Sequence, residues 1–156
     1  MPIRPILSAA LAALALPALA LPTAAQAGLL DGLGTCTLTL SGSGTMTMGG
    51  DGRTLSSQNS GGGAAGMLLV GVNITPELVF SAPTLIGPPG WSATPTTMIA
   101  IDTLSGTHTG FRNGPVVVRP GVLLDTLSIH ARVTSPEGFR AGSYQARTTV
   151  TCQSAS

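Results

Sequence analysis

Leu127-Ser128-Ile129-His130-Ala131-Arg132-Val133-Thr134, and a short turn later Tyr144-Gln145-Ala146-Arg147-Thr148-Thr149-Val150-Thr151-Cys152, decide the fold. In the first segment Leu127, Ile129, Ala131 and Val133 alternate with Ser128, His130, Arg132 and Thr134. In the second, Tyr144, Ala146, Thr148, Val150 and Cys152 alternate with Gln145, Arg147, Thr149 and Thr151. A period of two places successive side chains on opposite faces of a strand, so one register buries the apolar set and Cys152 and turns the arginines outward. Ser135-Pro136-Glu137-Gly138 supplies turn chemistry between the two.

The same grammar runs back through the chain, with no helical stripe after the first residues. Thr35-Cys36-Thr37-Leu38-Thr39-Leu40 puts Cys36, Leu38 and Leu40 on one face, and Thr45-Met46-Thr47-Met48 alternates again after a Gly/Ser turn. Residues 67–74 form a fuller apolar run, predicted to be a strand buried on both faces. Residues 78–80, 98–101 and 116–118 read as short strands. Residues 58–66 are a Gly-rich polar loop of the kind expected to be mobile, and residues 82–96, with Pro83, Pro88, Pro89 and Pro95, are loop or sheet edge. About seven or eight short strands with turns between them predict a β-sandwich, with Leu38, Leu40, Leu127, Ile129 and Val150 in its core.

Residues 1–27 stand outside that domain. Arg4 precedes an Ala/Leu run over residues 6–21, and Ala25-Gln26-Ala27 offers small residues at a cleavage site, the pattern of a secretory signal peptide. The run is short for a bilayer span, and no later stretch is long and apolar enough for one. The expectation is an exported chain, in the periplasm, at the cell surface or extracellular, whose residues 28–156 form one domain. Cys36 and Cys152 are its only cysteines, and an even pair in an exported protein reads as a disulfide. Leu33-Gly34-Thr35-Cys36 loosely resembles a lipobox, the alternative use of Cys36. Thr before the cysteine, Asp31 and an orphaned Cys152 speak against it.

Seven arginines and no lysine stand against six acids, and Arg4 belongs to the leader, so the mature domain is near neutral and lacks a basic cluster. Nucleic acid and anionic lipid are therefore not expected partners. His108 and His130, with Asp102 and Asp125 and abundant serine, allow a Ser-His-Asp arrangement in principle. Gly90-Trp91-Ser92-Ala93-Thr94 lacks the closing glycine of a nucleophile elbow. His130 falls on the polar face of its strand, where a solvated imidazole is expected. The spacing of Cys, His and acids matches no metal motif, and no catalytic residue, metal or cofactor is assigned. Trp91, after Pro88-Pro89-Gly90, either presents its ring to a sugar or folds back over an open end of the sandwich. Asn73-Ile74-Thr75 matches a glycosylation sequon.

The run from Arg140-Ala141-Gly142-Ser143-Tyr144 through Cys152 resembles the closing strand of bacterial DUF4402 proteins and of the related spore coat protein U and pilin-like domains. Residues 44–54 are similar to the early strand of that family and the turn after it. The resemblance implies an immunoglobulin-like sandwich without catalytic residues, and a cell-surface, coat or fimbrial-type structural or interaction subunit. The alternative is a soluble carbohydrate- or ligand-binding module contacting its ligand through Trp91. Polymerising pilins present a donor strand ahead of the domain, and Gly28, Gly32 and Gly34 make a poor one here. The expectation is a monomer in isolation, with residues 35–40 lying against residues 144–152 to close that side, open to surface or appendage partners or a glycan.

Overall fold

The computed structural model describes residues 34–155. The expected leader, residues 1–27, lies outside them. The described residues form eleven strands and no helix: β1 (Thr35–Gly42), β2 (Thr47–Met48), β3 (Thr54–Ser56), β4 (Ala65–Val72), β5 (Pro76–Phe80), β6 (Thr84–Ile86), β7 (Thr96–Thr103), β8 (Val116–Val118), β9 (Leu124–Thr134), β10 (Gln145–Arg147) and β11 (Val150–Ser154). All pairings are antiparallel.

β9 organises the larger sheet. β7 runs along one side of it, from Thr96 opposite Thr134 to Thr103 opposite Leu127. On its other side β4 pairs its first half and β3 its last residues, and β1 and β2 follow at the two edges, giving six strands. The smaller sheet has the order β11-β5-β8, and β10 pairs with β6. β5 and β6 are one chain path broken at Ser81–Pro83, opposite a break between β10 and β11. The break is sewn by one backbone and two side-chain hydrogen bonds: Ser81 N donates to Thr149 O, Thr149 N donates to Ser81 Oγ at 2.9 Å, and Thr148 Oγ1 donates to Ser81 O at 2.8 Å. Such interruptions give eleven short strands where the turn signals predicted seven or eight.

Both sheets feed one core, a layering consistent with a β-sandwich. Met67, Leu69, Ile99, Ile101 and Leu127 come from the larger sheet, and Leu78, Phe80, Val116 and Val118 from the smaller. Leu38, Ile129, Val150 and both cysteines pack against this cluster, half-buried. Cys36 and Cys152 form the predicted disulfide, with Cα atoms 6.3 Å apart.

Four local expectations need correction. Leu40 is 67% exposed and outside the core, because β1 leaves the smaller sheet behind beyond Leu38. β4 is buried on one face only, with Met67, Leu69 and Gly71 inside and Leu68, Val70 and Val72 outside, so a continuous apolar run here does not mean two covered faces. The Gly-rich segment before β4 is tied down: Thr45 and Gly63 exchange two backbone hydrogen bonds of 2.9 Å, and Asn59 Nδ2 donates to Thr47 O at 2.8 Å. Finally, the first and last strands do not pair. β1 bonds to β4 and β11 to β5, so the disulfide joins edge strands of opposite sheets and that side is not closed by a ladder.

Candidate functional site: an apolar groove between two edge strands

From the disulfide, β1 and the chain of β10–β11 run along the same side of the molecule. Between them lies an open groove of about 910 Å³. Leu38 and Leu40 form one wall, residues 144–150 the other, and Met67, Ile129 and Ala131 belong to its apolar floor. The predicted alternation holds along the second wall: Tyr144, Ala146, Thr148, Val150 and Cys152 turn inward and their neighbours are exposed. None of the five is fully buried, because the face they share looks into the groove. Arg147 is the only ionisable side chain among the lining residues besides the Tyr144 phenol. Among the described residues, β1 has no ladder partner beyond β4, and β10 and β11 none beyond β6 and β5. The groove is therefore flanked by two strand edges with backbone groups free to pair.

An aromatic cluster stands at the far end. The Trp91 ring stacks on Phe139 with centroids 5.8 Å apart, and Tyr144 meets both edge-on at 5.0 and 5.1 Å. Tyr144 Oη accepts from Arg140 N and donates to Arg140 O, both at 3.0 Å, which locks the turn into β10. Gly87 leaves the room the indole needs, since a Cβ there would sit 2.6 Å from Trp91 Cε3. Trp91 thus packs within this cluster, stacked on Phe139 and in contact with Tyr144, close over Gly87.

The structure brings both histidines to Asp102. Asp102 and His108 face each other across an antiparallel bridge, with His108 Nδ1 3.1 Å from Asp102 Oδ1. His130 Nε2 lies 3.4 Å from Asp102 Oδ2, and its Nδ1 shares a hydrogen bond of 3.2 Å with Ser57 Oγ. A serine, an imidazole and a carboxylate are therefore in line. Ser57 is buried and its Oγ also accepts from Ala131 N at 3.1 Å, while Ser57 N donates to Ala131 O. Ser57 fills the gap on β9 where β3 ends and β4 begins, and its hydroxyl bridges Ala131 N and His130 Nδ1 there, at the lining of the groove. Among the described residues, no three His, Cys, Asp or Glu side chains are placed to hold a metal ion.

Two carboxyls are held below their usual range. The backbone N–H of Arg53, then the Thr54 hydroxyl, bond to Asp51 and shape the turn into β3. Glu77 accepts 2.7 Å from Gln153 Nε2, which outweighs its burial, and Arg119 pairs with its other oxygen. The second cluster pins β11 to β5 beside the disulfide. Sequence reasoning missed the groove and the Ser57–His130 contact. The only signal for the first was the alternation of β1 continuing to Leu40, and Ser57 carries none. Comparison with protein-family models, with curated proteins and with solved structures finds no match.

Proposed function

We propose that this domain is a non-catalytic, exported bacterial subunit of a cell-surface, coat or fimbrial-type assembly, and that the groove is its contact site for an extended segment of a partner chain. The observation that carries the reading is the groove itself, an apolar trough between two unpaired strand edges. A strand entering it satisfies the backbone groups of those edges while its alternate side chains take the place of water over Leu38, Met67 and Ile129. The disulfide supports export, since such bonds persist in oxidising compartments. Among the described residues no helix is long and apolar enough to cross a membrane. The packing of Trp91 into an aromatic cluster favours this reading over a sugar-stacking module.

The test is the native bacterium carrying an epitope-tagged chain. The tagged protein should be recovered in sheared, high-mass surface material and be reached by a cell-impermeant label. Leu40→Asp, on the exposed groove wall, should leave the domain folded and release it as free protein. Wild-type protein found only as a free periplasmic chain, unlabelled from outside, would overturn the proposal.

A further inference from the structure

At the gap on β9 between β3 and β4, one hydroxyl connects the outward face of the larger sheet to the groove. Ser57 sits in the gap, 5% exposed, and with Ala131 it lines the groove. Its Oγ accepts the Ala131 N–H at 3.1 Å and shares a hydrogen bond of 3.2 Å with His130 Nδ1. His130 belongs to the outward face, where Asp102 of β7 is its neighbour: Ala100 stands opposite His130 and Asp102 opposite Ser128. The His130 Nε2 lies 3.4 Å from Asp102 Oδ2.

Those contacts fix the protons. A carboxylate has no hydrogen to give, so in the neutral ring the nitrogen facing Asp102 carries the proton and Nδ1 is left as an acceptor. Ser57 then donates its hydroxyl proton to Nδ1 while accepting from Ala131 N, and no donor is left over. A second proton on the ring goes to Nδ1, with Asp102 as the counter-charge of the imidazolium. Nδ1 now donates to Ser57 Oγ, both lone pairs of that oxygen are taken, and the serine hydrogen has to turn elsewhere. With Ala131 N and the imidazole on its other sides, it turns toward the groove. The remaining charged groups nearby have other engagements. His108 Nδ1 lies 3.1 Å from the second Asp102 oxygen and the side chain is 70% exposed. Arg132, two residues along β9 on the same face, lies over the Phe111 ring at 4.0 Å and donates to Gln58. Arg112, next to Phe111, bridges to Ile99 of β7. The segment before β4 brings Ser57 and Gln58 and no charge.

We propose that the groove is proton-gated: protonation of His130 frees the Ser57 hydroxyl into it and loosens its hold on the partner's strand. The gate rests on the reading of the groove as the contact site for an extended segment. Such a segment turns its backbone toward the edges of β1 and β10 and its apolar side chains toward the floor, so it offers the serine no acceptor. While His130 is neutral that costs nothing, because the serine proton is already placed. Once His130 is protonated, occupancy shuts an unpartnered O–H away from water, and a buried donor without a partner is the costly case. Linkage is reciprocal, so an occupied groove also resists the proton. Histidine is the side chain that ordinarily changes charge between about pH 5 and 8, so mild acid loosens the contact and a return to neutral pH restores it.

Nitrogen-15 NMR of the exported, processed wild-type chain reads the switch itself: near pH 8 the His130 ring should be protonated at Nε2 only. Sheared surface material carrying the tagged chain, held at values from about pH 5 to pH 8, reads the gate. About fivefold or more tagged chain should be released at the acid end than at the alkaline end. His130→Gln, whose amide oxygen accepts the Ser57 proton at every pH, should abolish the difference, and His108→Gln should preserve it. Equal release across the range overturns the proposal. So does a pH dependence that survives His130→Gln or vanishes in His108→Gln, or a neutral His130 ring protonated at Nδ1. A tagged chain absent from the surface material overturns the reading of the groove and the gate with it, whereas an Nδ1-protonated ring in a chain that does assemble overturns the gate alone.

Discussion

Replacing both Cys36 and Cys152 by serine removes the covalent tie between β1 and β11. The bond spans 116 residues, nearly the whole described chain. Closing a loop of that length costs the unfolded ensemble conformational entropy worth about 5 kcal/mol at room temperature. That is comparable to the entire stability of many domains, which lies at roughly 5–15 kcal/mol. The folded state adds to the effect, because no backbone ladder joins β1 to β11 and the half-buried cysteines pack against the core. Equilibrium urea unfolding, followed by Trp91 fluorescence, measures it. With a slope of about 1.5 kcal/mol/M the midpoint of the double variant should fall by roughly 3 M. The slope should also rise, because an uncrosslinked chain exposes more surface on unfolding. A midpoint shift below about 0.5 M with an unchanged slope would refute the reasoning, for it would mean that the two edges hold together without the bond.

Four further outcomes follow from the packing. Leu127→Ala empties a fully buried site on β9 and should cost about 2–5 kcal/mol, whereas Leu40→Ala on the groove wall should stay within about 0.5 kcal/mol in the same denaturation assay. Gly87→Ala drives a methyl into the Trp91 ring, so it should destabilise by about 1–3 kcal/mol and shift the indole emission to the red. Ser57→Ala orphans Ala131 N and His130 Nδ1 and should cost about 1–3 kcal/mol in thermal unfolding. The Glu77 carboxyl is held below its usual range, so the stability it contributes is fully present above its unfolded-state value and is lost as the pH falls through the lower folded-state value. Urea midpoints measured across the acid range should therefore decline less steeply in Glu77→Gln than in the wild type.

Period-two alternation made the strands legible. β1 begins at Thr35 as its pattern predicts, β9 buries Leu127 and Val133 and half-buries Ile129, and the inward set from Tyr144 to Cys152 is the one its alternation names. Alternation reports which residues share a face, but it says nothing of how deeply that face is covered. Leu40 obeys the pattern and is exposed, because the covering sheet ends short of it. Residues 67–72 break the pattern with apolar side chains on both faces, and only the inward one is covered. Partner choice was equally hidden. The β1–β4 and β11–β5 pairings join segments far apart in the chain, and nothing local distinguishes them from a β1–β11 ladder. The contact of Ser57 with His130 spans 73 residues and rests on a gap between two other strands, so no motif marks it.

The groove follows from how the two ends of that side are held. Near Cys36 the disulfide fixes the edges of the two sheets together, and beyond it Tyr144, bonded twice to Arg140 and packed on Trp91 and Phe139, anchors the start of β10. Between these anchors β1 bonds only to β4 and β10 only to β6, so bringing the two free edges together requires both sheets to bend inward while keeping those ladders. In return closure would bury Leu38, Leu40 and Val150, a gain of at most a few kcal/mol for side chains already half-covered. An incoming strand meets no such conflict, because it brings hydrogen-bonding groups of its own to both edges and side chains to the floor.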